Sequence, residues 1–97
     1  MIRYAIFAAL AAVPAHAQEN PAARGLAATC AACHGTDGRS ATKEVAGLAG
    51  LPKEHIASQM RAFRDGARPA TVMHQIAKGY SDQQIDLMAD YFSRRPR

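Results

Sequence analysis

Cys30-Ala31-Ala32-Cys33-His34 is the stretch of this sequence best equipped for chemistry. Two cysteines three positions apart, with histidine next, form the attachment motif for a c-type haem. The spacing lets both thiols reach the two vinyl groups on one porphyrin edge. It also places His34 beneath the ring, where an imidazole nitrogen can bind iron. Three other readings fit the same residues less well. A Cys30–Cys33 disulfide would close a tiny, strained loop and stabilise little. A thioredoxin-like redox pair needs a βαβ context, and no strand pattern surrounds this one. Structural zinc takes four ligands, and without a second cysteine pair His55 and His74 complete a set poorly.

The residue opposite His34 decides between carrying electrons and reacting with small molecules. Met73 follows a chain break in Pro69-Ala70-Thr71-Val72-Met73, where a side chain can turn toward the distal face. It is the candidate for the second axial ligand, with His74 as rival because bis-imidazole coordination is chemically sound. Met60 and Met88 lie on apolar helical stripes and read as core. His55 reads as a partly exposed helix residue or a contact at the haem edge.

The chain around these residues is short. Met1–Ala17 has the pattern of a cleaved secretory signal, with Arg3, an apolar run from Tyr4 to Val13, and Ala15-His16-Ala17 as the cleavage site. That apolar run is half of the ~20 residues a membrane span needs, so no stable membrane insertion is expected. Without the leader, 80 of the 97 residues remain, as one domain over 18–97. A domain of this size is marginal without disulfides, a metal or a prosthetic group. A porphyrin would supply the missing apolar surface, and the haem-free chain should fold poorly. The mature charge is +3, from eleven Lys and Arg against eight Asp and Glu. The signs are interspersed, so a nucleic-acid partner is not indicated. No phosphate-binding loop or dinucleotide fingerprint occurs, and the mature chain is too short for most catalytic folds. What remains is a small exported binding or redox module in the periplasm.

The elements that must position the site are helical throughout. Asn20-Pro21 can start a helix running Ala-rich to about Cys33. Gly35 to Gly50 reads as loop. A second helix begins at Pro52, presents Ile56, Met60 and Phe63 on one face, and stops at Gly66. A short helix from about Ala70 to Lys78 follows. Ser81-Asp82-Gln83-Gln84 is a capping box ahead of Ile85, Met88 and Phe92. Nothing outside the leader alternates with period two. The expected class is all-α, three to four helices packed around one covalently attached haem.

Cys30 to Phe92 resembles the class I c-type cytochromes. The matching residues are Ala27-Ala28-Thr29-Cys30-Ala31-Ala32-Cys33-His34-Gly35-Thr36-Asp37-Gly38, Leu48-Ala49-Gly50, and Gln59-Met60-Arg61-Ala62-Phe63-Arg64-Asp65-Gly66-Ala67-Arg68. Thr71-Val72-Met73, Ala77-Lys78-Gly79-Tyr80-Ser81-Asp82 and Ala89-Asp90-Tyr91-Phe92 complete the match. Within the class, it is similar to the cytochrome c4 type and to the haem subunit of flavocytochrome c sulfide dehydrogenase. The resemblance implies one covalent haem c on Cys30 and Cys33, with iron between His34 and Met73. It also places Gln59 and Arg68 near the haem edge and propionates. A propionate partner for Arg68 is physically sensible, and a solvated loop charge is the alternative; Arg61 and Arg64 read as solvated. Relatives often carry Pro at the position of Ala46, where a backbone carbonyl accepts from the proximal histidine, and an aromatic at that of His55. The implied function is one-electron transfer from an FAD-containing sulfide-oxidising flavoprotein, with no substrate bonds made or broken by this protein itself. A free-standing carrier for another dehydrogenase or a terminal oxidase is the alternative within the class. A five-coordinate haem peroxidase or gas sensor is the alternative outside it, and requires Met73 to be off the iron.

Overall fold

The computed structural model describes residues 4–6, 8–9 and 20–97. The expected leader lies outside the described residues apart from those first five, as does its cleavage site. Three principal helices and two shorter ones make up the described chain: α1 (Pro21–Ala28), α2 (Ala31–His34), α3 (Lys53–Arg64), α4 (Met73–Ala77) and α5 (Asp82–Ser93). Among the described residues there is no strand, and no helix is long and apolar enough to cross a membrane.

Local chemistry explains where each helix starts. Asn20 Oδ1 accepts from the backbone N–H groups of Ala22 and Ala23 (2.9 and 3.3 Å), with Pro21 in the first turn. These bonds satisfy donors that a helix start leaves unpaired. The capping box ahead of α5 is complete. Gln84 N–H donates to Ser81 Oγ, and Ser81 N–H donates to Gln84 Oε1. The Ala-rich first helix does not run on to Cys33, however. Thr29 closes α1 by turning both its N–H and its hydroxyl onto the Leu26 carbonyl (3.2 and 2.7 Å). The chain then bends and re-enters a single turn at α2. The fourth helix also begins later than expected, at Met73.

The core is where α5 packs against both α1 and α3, while α4 packs on α3. Ile85 and Ala89 are fully covered, and Met88 and Phe92 nearly so. Ala23 and Ala27 of α1 face this surface, and Ile56 and Ala57 of α3 join it. Alanines at the contacts bring the helices close but bury little area each.

Arg61 and Arg64 are not simply solvated. Arg61 donates to Asp82 (3.1 Å) and Asp86 (2.7 Å), and Arg64 to Asp82 (2.8 Å) and Asp65 (3.1 Å), tying α3 to the first turns of α5. Arg64 and then Arg61 hold the Asp82 carboxyl below the ordinary aspartate range. A carboxyl whose pKa is depressed by folding adds stability above its unfolded value and loses it as pH falls through its folded value. Asp82→Asn should therefore melt modestly below wild type at neutral pH. The gap should close below about pH 4, where aspartate becomes protonated, and should shrink with added salt. Melting curves between pH 2 and pH 7 check this; a gap that persists at pH 2 would mean that charge is not its cause.

Candidate haem site

The site grows from the corner between α1 and α2. Cys30 is half-buried and Cys33 exposed, and both are free thiols. Burial pushes the Cys30 thiol up, the Thr29 hydroxyl partly offsets this, and the neighbouring Cys33 adds to the rise. Immediately after His34 the chain reverses through Gly35 at φ +82°, where a Cβ would run into the Arg39 carbonyl. Glycine is needed here for backbone freedom as much as for space. Gly38, at φ +77°, is enclosed more tightly. A Cβ there would lie 2.8 Å from Phe92, 2.9 Å from the Ala49 nitrogen and 3.0 Å from Leu48. The Gly38 carbonyl accepts from the N–H groups of Leu48 and Ala49 (2.8 and 3.2 Å). Tyr91 O–H donates to Asp37 Oδ1 at 2.7 Å, which fastens the same turn to α5.

This anchoring fixes the segment on which Ala46 sits. His34 Nδ1 lies 2.7 Å from the Ala46 carbonyl oxygen. A carbonyl can only accept, so Nδ1 carries the proton and Nε2 keeps its lone pair. Such an outer partner sets the tautomer and ring orientation of a metal-binding imidazole. Alanine thus provides the acceptor expected at this position without proline.

Cys30, Cys33 and His34 open onto a cavity of about 510 Å³, within the roughly 300–1,000 Å³ usual for small-molecule and cofactor sites. Its wall is largely apolar. α3 contributes Ile56, Met60 and Phe63, α5 contributes Met88 and Phe92, and the loop before α3 contributes Leu48 and Leu51. Met73 at the start of α4 lies in the same wall, with Val72 and Ile76 beside it. His74 is not part of this wall, and its Nδ1 is buried without a hydrogen-bond partner. Gln59 and Arg68 are in the lining. Arg68 Nη1 donates to Gln59 Oε1, and the guanidinium stacks over Phe63 at 4.7 Å. His55 is exposed at the rim.

Two thiols, an imidazole with a free Nε2 and a thioether around one apolar cavity suit a large flat prosthetic group. They do not suit a bare ion: among the described residues no three His, Cys, Asp or Glu side chains converge on a metal position. Tyr80 joins the wall as well, bonded through its hydroxyl to Thr29. The sequence pattern alone gave no reason to single out this contact.

The family model for cytochrome c matches residues 21–94. The chain belongs to the cytochrome c family. It is an electron-transfer protein, and its only two cysteines fit a single covalent haem c. The cytochrome is 42% identical over 67 residues to the cytochrome subunit of sulfide dehydrogenase of Chlorobaculum tepidum, spanning 69% of this chain and 60% of that protein. Against the thiosulfate dehydrogenase electron acceptor of Thiomonas intermedia it is 45% identical over 71 residues, or 70% of this chain and 32% of the relative. In three dimensions it matches the cytochrome c4 of Acidithiobacillus ferrooxidans with a TM-score of 0.68 at 30% identity, over 78% of this chain and 51% of that one. This cytochrome therefore spans less than two thirds of each of these three proteins.

Proposed function

We propose that this cytochrome is an exported single-haem carrier whose iron is held by His34 and Met73, and that a flavoprotein oxidising sulfide gives it electrons. The hydrogen bond from His34 Nδ1 to Ala46 carries the reading, because it leaves Nε2 free to bind iron. Met73 in the wall of the same cavity supports a second axial bond. The haem supplies a reversible one-electron iron couple, and a thioether ligand raises its potential relative to two imidazoles. With both axial positions taken, the protein binds no substrate at iron. That separates it from a peroxidase or gas sensor, and slow CO binding to the reduced protein is the expected sign. The leader pattern over Met1–Ala17 supports export, with cleavage after Ala17 and a periplasmic site of action.

The printed names of two relatives, one a subunit for sulfide and one an acceptor for thiosulfate, support a donor that oxidises reduced sulfur. Val72 and Ile76 are 53% and 41% exposed at the cavity rim, a small apolar edge against which a redox partner can dock. Transient electron-transfer contacts are small, whereas a permanent subunit interface would need more apolar area than these two residues offer. The remaining charge is scattered, so association should depend only modestly on salt. The expected result is co-purification with an FAD-containing protein, and haem reduction when sulfide is added to the pair. Elution as a lone monomer that stays oxidised with that flavoprotein and sulfide present would defeat the subunit reading. The Thiomonas relative's name favours the second reading, a diffusible acceptor, in which reduction occurs without a stable complex.

A further inference from the structure

One hydrogen bond in this fold joins the two walls that carry the haem anchors. Thr29 Oγ1 lies 2.7 Å from the Leu26 carbonyl and 2.8 Å from the Tyr80 hydroxyl. Its single proton goes to the carbonyl, which can only accept, so Tyr80 is the donor to Thr29. Thr29 Oγ1 is also 3.9 Å from Cys30 Sγ, beside the first haem anchor. At the other end, Tyr80 is held from both sides. Its N–H donates to the Ala77 carbonyl behind α4, and the next residue, Ser81, caps α5. Among the described residues this is the one hydrogen bond between the stretch 20–35 and the stretch 73–80.

We propose that Tyr80 is a positioning residue for the axial sulfur. Its hydroxyl ties the segment that begins with Met73 to the Cys30 corner and so fixes how firmly the thioether is presented. The inference rests on the reading that Met73 supplies that sulfur. Tyr80→Phe removes the O–H and keeps the ring in the cavity wall, while Thr29→Val removes the acceptor at nearly constant volume.

The test is equilibrium binding of imidazole to the ferric, haem-loaded protein, since imidazole must displace the sulfur. It is followed by loss of the weak near-infrared sulfur-to-iron band, with thermal melting measured alongside. Each single variant should keep the band and bind imidazole about fivefold more tightly, the effect of one ordinary hydrogen bond. The double variant should bind no more tightly than either single, because both remove the same contact. Unchanged imidazole affinity with a lowered melting temperature would overturn the proposal and leave Tyr80 a packing residue. Additive effects in the double variant would overturn it too, by separating Tyr80 from Thr29. A band that survives Met73→Ala would instead overturn the ligand reading, and the proposal with it.

Discussion

A Cys30→Ala, Cys33→Ala double variant is expected to carry no covalent haem and to lose its cooperative thermal transition. Six of the eleven buried apolar residues are alanines, so the helices have little area to bury against one another. The cavity they leave is about 510 Å³. Held open and dry, it would cost on the order of 12 kcal/mol at about 24 cal/mol per Å³, as much as the whole stability of a typical domain. The wall must therefore flood or collapse when no porphyrin fills it. Helical circular dichroism should fall well below that of the holoprotein, and melting should become broad. A sharp melt with full helicity in the double variant would show that the polypeptide core suffices alone.

Met73→Ala is expected to abolish the near-infrared band of the ferric protein and to open the reduced protein to rapid CO binding. Met60→Leu and Met88→Leu should keep the band, because Met60 is half-buried on α3 and Met88 is 3% exposed among the core side chains of α5. His74→Ala should keep it as well, since His74 does not line the cavity. Met73→His should restore six-coordination at a lower reduction potential, because imidazole is the harder ligand. Visible and near-infrared spectra of these five variants assign the ligand. Retention of the band in Met73→Ala, with loss in any other variant, would move the sulfur to that residue.

The parts of this fold that follow from local chemistry were legible in the sequence. The apolar positions of α3 and α5 recur at helical spacing, and Asn20 and Ser81 announce their helices by residue type. The end of α1 was not legible, because an alanine-rich run has high helix propensity throughout. Only the closure of Thr29 onto Leu26 stops it. Long-range partners were hidden for the same reason. Arg61 and Arg64 look solvated in sequence, yet their carboxylates at Asp82 and Asp86 lie 18 to 25 positions away. The structure lines one cavity with all six candidate residues: Cys30, Cys33, His34, Gln59, Arg68 and Met73. Arg68 is both rim residue and exposed charge, so the two readings of it were not true alternatives.

The packing of α1 on α5 also bears on how the molecule is made. Ala23 and Ile85 share a core although about sixty residues separate them in the chain. Contacts of such range form late, because the loop between them must be ordered first. A chain emerging N-terminus first presents its cysteines long before α5 exists to cover that core. Haem attachment at Cys30 and Cys33 then has an open window, with both thiols on an unfolded segment. The same window exposes the nascent chain to proteases, and loss of even the last turn of α5, with Phe92, would leave it open for good.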